Sequence, residues 1–289
     1  MIELLKAALY GIVEGVTEWL PVSSTGHMIL LNEFVKLNTS EEFWNMFLVV
    51  IQLGAILAVV LLYWKEIWPL GIWKHRKRTR IVWKKNVLQL WAKTIVACIP
   101  AGVVGLLLDD WIDAHLYNPL VVSIMLILVG VVFIIVENRK AQDDRPARVE
   151  ELEDLTYKDA FNIGLFQLIA AVFPGTSRSG ATIVGGLMLG VSRTCAANFT
   201  FILAIPVMLG ASLLKIVRYQ GTMTGMEAGI LAVGMIVAFV VSLFIIRFLL
   251  GYIRKHDFKV FGWYRIILGI LVILYFVLSR QSMTGVLAQ

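Results

Sequence analysis

Charge is scarce in this chain, and cysteine scarcer. Only 16% of its 289 residues are Asp, Glu, Lys or Arg, and there are two cysteines. Cys98 and Cys195 each sit alone in an apolar stretch, which excludes a disulfide framework and the paired spacing of a Cys/His metal site. Both read as small packing residues. The opening run MIELLKAALYGIVEG has no basic segment ahead of an apolar core and no small-residue cleavage site, so a removable leader is not expected and the first helix is expected to persist. A net charge of +6 comes without an aromatic-basic surface or a DNA-reading motif, which argues against nucleic acid as a partner.

What the chain has in quantity is hydrocarbon: 59% of its residues are hydrophobic, gathered in blocks of bilayer length. Spans are expected at 43–63, 86–108, 119–136, 195–217, 227–250 and 262–279, each near the roughly 20 residues that a bilayer requires. Four further apolar pieces differ. Those at 2–20 and 28–37 flank PVSSTGH, and those at 158–173 and 180–191 flank PGTSRSG. The second of each pair, about 10 to 12 residues, is too short to cross hydrocarbon. Each pair is therefore read as a re-entrant hairpin whose irregular backbone lines an internal site. The expected fold is an all-α integral membrane protein of six transmembrane helices plus two re-entrant helical hairpins.

The loop from Lys65 to Lys85 holds Lys74, Arg76, Lys77, Arg78, Arg80 and Lys84, and parity puts it on one side with Arg139, Lys140, Arg145, Arg148 and Lys158 and with Arg254, Lys255 and Lys259. That side is cytoplasmic by charge. The connection 109–118, with Asp109, Asp110 and Asp113 but no Lys or Arg, falls outside, as do both termini. Trp64, Trp68, Trp73, Trp83 and Trp263 read as interfacial anchors.

An internal repeat organises the whole. GIVEGVTEWLPVSSTG from Gly11 aligns with GLFQLIAAVFPGTSRS from Gly164 at an offset of 153, matching Gly11 to Gly164, Glu14 to Gln167, Pro21 to Pro174 and Ser24 to Ser177. Each half holds one hairpin and an odd number of spans, so the second copy should be inverted, with its site near the midplane. The chain is read as one membrane domain over 1–289: a first repeat at 1–136, a solvated cytoplasmic linker at 137–157 and a second, inverted repeat at 158–289.

Chemistry concentrates in the two polar loops. Glu14 and Glu18, four apart in an apolar helix, present two carboxylates on one face. They repel in a dry site unless a cation intervenes, and a hard divalent ion such as Mg²⁺ or Ca²⁺ suits them. Ser23, Ser24, Thr25, Gly26 and His27 follow Pro21 and open a helix, where free N–H groups can take an anion. Hydroxyls at a helix start are ordinarily caps, yet here an imidazole and two carboxylates stand beside them. Thr176, Ser177, Arg178 and Ser179 supply a permanent charge whose fork suits phosphate; an internal ion pair of Arg178 with Glu14 or Glu18 is the simpler alternative. The set matches metal-assisted phosphoryl transfer, with the nucleophile open among Ser24, His27 and water.

On EGVTEWLPVSSTGH, PGTSRSGAT and IQLGAILAV the chain resembles, over nearly its whole length, the bacterial undecaprenyl-diphosphate phosphatase family, also called bacitracin resistance proteins. The resemblance implies hydrolysis of undecaprenyl diphosphate to undecaprenyl phosphate and phosphate, which recycles the lipid carrier of cell-wall synthesis, and it implies a divalent cation. It also implies a multi-pass protein of the bacterial inner membrane with its site facing the periplasm. By the same resemblance Glu14 and Glu18 form the acidic motif and metal ligands, Ser24 and His27 with Glu18 the catalytic set, and Arg178 the phosphate binder. The partners expected are a polyprenyl diphosphate lipid and the bilayer, with homo-oligomerisation left open. The rival reading is a transporter or flippase of a polyprenyl phosphate or another anion, since inverted repeats with broken helices also build carriers.

Overall fold

The computed structural model describes residues 1–75, 78–142 and 145–279, with the backbone alone at 72–75, 78–80, 109, 110 and 113. Arg76 and Lys77 of the expected basic loop, part of the expected linker at 143–144, and 280–289 lie outside the described residues. The same holds for the side chains of Lys74, Arg78, Arg80, Asp109, Asp110 and Asp113.

The chain begins with α1 (Ile2–Thr17) and α2 (Ser24–Phe34), followed by α3 (Glu41–Val50) and α4 (Gln52–Leu62), which abut at Ile51. A single turn, α5 (Trp64–Ile67), leads into the strands β1 (Leu70–His75) and β2 (Arg78–Trp83). Next come α6 (Lys85–Leu116), α7 (Pro119–Ala141), α8 (Tyr157–Val172) and α9 (Arg178–Met188). The described chain ends with α10 (Arg193–Arg218), α11 (Gly225–Ile253) and α12 (Lys259–Leu278). Six helices among the described residues are long and apolar enough to cross a membrane: Glu41–Leu62, Lys85–Leu108, Pro119–Ala141, Arg193–Arg218, Gly225–Ile253 and Lys259–Leu278. These coincide with the six expected spans. Half or more of each apolar window faces outward, as in Leu107, Phe244 and Val217, an arrangement that lipid satisfies and water does not. The chain is a multi-pass helical membrane protein.

Two expectations need correction and a third refinement. Leu70–His75 and Arg78–Trp83 pair as antiparallel strands, with Leu70 opposite Trp83 and His75 opposite Arg78, where only a loop was expected; Thr79, Ile81, Val82 and Trp83 favour a pleated strand. The expected outside loop at 109–118 is largely the end of α6, which runs on to Leu116. The stretch 137–157 is mostly exposed in its described residues, as a solvated linker would be, but a few of them are anchored. Its first five residues complete α7, where the buried carboxylate of Glu137 accepts the Arg193 guanidinium and, at 3.1 Å, the backbone N–H of Phe258. Further along, Val149 bridges Val191, and Leu155 is buried. Mixed charge concealed these partners because each lies far along the chain.

Helix α1 packs chiefly on α11, α8 on α6, and α7 on α12. Glycines allow the backbones to touch. A Cβ on Gly11 would stand 2.6 Å from the Gly234 carbonyl, and one on Gly164 would stand 2.5 Å from that of Ala97. Between α7 and α12 the contact is reciprocal: a Cβ on Gly130 would lie 2.7 Å from the Gly262 carbonyl, and one on Gly262 2.8 Å from that of Gly130. Small residues at such seams are what helix packing in lipid selects.

Candidate active site

Both polar loops are made the same way. Pro21 follows the end of α1 and Pro174 the end of α8, and neither can donate a backbone hydrogen bond to continue a helix. Each loop then reaches a serine with positive φ, Ser23 at 74° and Ser177 at 69°; no other non-glycine residue described has one. That conformation strains an L residue by roughly 1–3 kcal/mol and persists where its surroundings enforce it. Each serine caps the helix it opens: Ser23 Oγ accepts the N–H of Gly26, and Ser177 Oγ that of Gly180. The caps fix a register that differs from the constant offset expected above. The second loop has one more residue between proline and cap, so the structural counterpart of Ser24 is Arg178, not Ser177. An ungapped comparison of two sequences cannot register that insertion.

The loops meet. Arg178 Nη2 donates to Glu18 Oε1 at 3.0 Å, and the Ser24 hydroxyl donates to Glu18 Oε2 at 2.6 Å. Ser179 Oγ donates to the Glu18 carbonyl at 3.0 Å. Thus Glu18 stands between the serine of one loop and the guanidinium of the other. Arg178 is held from behind as well, with Nη1 on the Thr200 carbonyl at 3.0 Å. The hydroxyls of Thr182 and Thr200 join at 2.8 Å, and that of Thr182 also donates to the Arg178 carbonyl. Glu14, one turn before Glu18, is buried, and its Oε1 has no partner. Glu14 and Glu18 thus bring two carboxyl groups to the single guanidinium of Arg178.

His27 is placed otherwise than expected. Its Nδ1 lies 2.7 Å from the Ser23 carbonyl and its Nε2 2.6 Å from the Tyr264 hydroxyl, with the two rings parallel. A nitrogen facing a carbonyl must carry the proton, which leaves Nε2 to accept from Tyr264. The Ser24 hydroxyl is bonded to Glu18 rather than to His27, because the first turn of α2 turns the imidazole back onto Ser23. Of the remaining expected residues, Thr25 is half-buried beside Ser24 and Gly26 is buried. Ser177 and Ser179 share a hydrogen bond at 3.1 Å, and Thr176 Oγ1 is buried without a partner.

Sequence reading missed Arg265 and Tyr264 on α12. Arg265 has no exposed surface and binds carbonyls of both loops. The signal was there: an arginine inside an apolar span is a site residue by default.

A divalent ion fits this donor set in part. Among the described residues no three His, Cys, Asp or Glu side chains gather as ligands, but two carboxylates do, one with an unpartnered buried oxygen. Mg²⁺ is commonly held by one or two carboxylates with substrate phosphate and water completing its shell.

Comparison with known proteins agrees with this chemistry. Residues 7–271 match the family described as bacitracin resistance protein BacA. The chain is 60% identical over 285 residues to the undecaprenyl-diphosphatase of Desulfitobacterium hafniense, covering 99% of each. It is 55% identical to the undecaprenyl-diphosphatase of Enterococcus faecalis, over 94% of this chain and 97% of that one. To undecaprenyl-diphosphatase 1 of Clostridium acetobutylicum it is 56% identical, over 96% and 98%.

Proposed function

The chain belongs to the bacitracin resistance protein BacA family, and from that premise we infer that it hydrolyses undecaprenyl diphosphate to undecaprenyl phosphate and inorganic phosphate at the joined loops. The activity recycles a lipid carrier for cell-wall synthesis and underlies bacitracin resistance. The single observation that carries the site assignment is the chain of contacts from Arg178 through Glu18 to Ser24.

In this reading the diphosphate displaces Glu18 from Arg178, whose fork then holds the terminal phosphoryl oxygens. Free N–H groups at the starts of α2 and α9 share the charge. Ser24 Oγ attacks the terminal phosphorus in line and passes its proton to Glu18 Oε2. The phosphoanhydride bond breaks, undecaprenyl phosphate leaves, and the phosphoryl group stays on Ser24. Water then attacks that phosphorus, His27 Nε2 takes the water's proton once Tyr264 yields, and the P–Oγ bond breaks as Glu18 returns its proton to Ser24 Oγ, releasing phosphate. Glu14 and Glu18 would hold a divalent cation, which when bound supplies charge neutralisation at the diphosphate.

The hairpins α1–α2 and α8–α9 are read as re-entrant, and the halves 1–136 and 158–289 as inverted copies joined at 137–157. Supporting this, α2 and α9 have 11 residues each, about 16 Å at 1.5 Å per residue and too short to cross. The packing of α1 on α11 and of α8 on α6 exchanges the halves. We read the chain as a protein of the bacterial inner membrane, oriented by the charge asymmetry of its loops, with the site opening to the periplasm as the family resemblance implies.

The test is phosphate release by purified protein in detergent, where a carrier has no gradient to use, with and without chelator. Terminally labelled substrate quenched within one turnover should leave a phosphoryl group on the Ser24 peptide that is stable in acid and labile in base. Label on His27, with the opposite lability, rejects Ser24 as nucleophile.

A further inference from the structure

Behind the two loops lies a cation that this mechanism does not use. Arg265 of α12 is wholly buried, and its recorded hydrogen-bond partners are all backbone carbonyls. Nη1 donates to Pro21 O in the first loop at 3.2 Å, and Nη2 to Gly175 O and Thr176 O in the second at 2.8 and 2.9 Å, with Met125 O of α7 at 3.4 Å. We propose that Arg265 is a positioning residue for the phosphatase reaction: it knots the two loops together and so sets the gap between Ser24 on one and Arg178 on the other. The proposal rests on the reading that the diphosphate lies between the loops.

Three features argue for a dedicated device. Loop carbonyls at membrane depth lack the helical partners that backbone groups require, and one planar fork satisfies three of them at once. A lysine, a point charge on a single stem, cannot reproduce that arrangement. The helix face carrying Arg265 is built for close approach. Gly262 and Gly269, three before and four after it, share that face, and a Cβ on Gly269 would stand 2.8 Å from the Ser123 carbonyl of α7. The long side chain can thereby pass α7 and reach the loops. Finally, the second loop is brought close to α7 and so within reach of the guanidinium: Gly175 has φ +89° and no space for a Cβ, which would meet Val122 O at 2.6 Å.

The experiment compares Arg265→Gln and Arg265→Lys with the wild type, purified in detergent, for kcat and KM per folded molecule and for amide exchange across the chain. A displacement of about 1 Å at a reacting centre costs on the order of 100-fold. The expected result is a kcat loss of that order in R265Q with KM within about threefold, and recovery by R265K of no more than about tenfold of it. Faster exchange should appear at both 20–26 and 174–180, with the α7 spans unchanged. Wild-type kcat per folded molecule in both variants overturns the proposal, as does a rise in KM alone or faster exchange in one loop only. Should R265Q fail to fold, R265K decides: reduced kcat at an unchanged melting temperature supports the knot, and unchanged kcat rejects it. Arg178→Lys run in parallel separates the two readings. Full turnover in R178K removes the assigned substrate position, while loop exchange in the Arg265 variants still reports on the knot.

Discussion

The segments Pro21–His27 and Pro174–Gly180 have one backbone design and opposite contents. Each runs from a proline to a positive-φ serine that caps an 11-residue helix. Where the first places Ser24 at the opening helical position, the second places Arg178; where α1 has Glu14, α8 has Gln167, and both side chains keep a buried Oε1 without a partner. Gly11 and Gly164 make equivalent close approaches to the other half. The geometry of a broken helix is common to both loops, while the proposed mechanism draws its reacting groups from one and its anion-gripping charge from the other. On that proposal neither half is a phosphatase by itself.

That contrast can be broken from either side. Glu18→Gln in the first half and Arg178→Ala in the second should each lower kcat/KM for phosphate release by about 10²–10³, whereas Ser177→Ala should stay within about tenfold of wild type because the Ser177 hydroxyl is engaged in capping α9 and bonding Ser179. Equal losses at Ser177 and Arg178 would end the division of roles. A smaller effect, on stability alone, is expected at the distant ion pair. Glu137→Gln leaves the partly buried Arg193 short of its carboxylate, at about 3–5 kcal/mol, seen as a lower melting temperature in detergent with kcat per folded molecule intact. The smallest effect sharpens the backbone half of the comparison. Ser23→Gly and Ser177→Gly each exchange a cap for relief of positive-φ strain, so both should change stability by no more than about 2 kcal/mol and in the same direction. Opposite signs would show that the two turns are not equivalent.

The six spans were legible because bilayer length is a property of contiguous sequence, and the two loops because Pro, Ser and Gly punctuate otherwise apolar runs. Glu18 and Arg178, 160 positions apart, could be paired on paper because an arginine at membrane depth requires an anion. Three things were not legible. The one-residue difference between the loops is invisible without the capping geometry, so Ser24 was matched to Ser177. The bonding of His27 to Tyr264 depends on the direction of one side chain in the first turn of α2, and so the hydrogen bond of Ser24 to Glu18 was not foreseen. Arg265 stood in plain view as an arginine in an apolar span, but its role did not, because its partners are backbone carbonyls, which no side-chain pattern announces.

A double-mutant cycle between the halves tests the convergence most directly. With kcat/KM measured for wild type, Glu18→Gln, Arg178→Ala and the double variant, groups acting on one diphosphate should be strongly non-additive. The double variant is then predicted to lie within about tenfold of the worse single variant. If instead its loss equals the product of the two single losses, the loops act on separate events and the shared site is wrong.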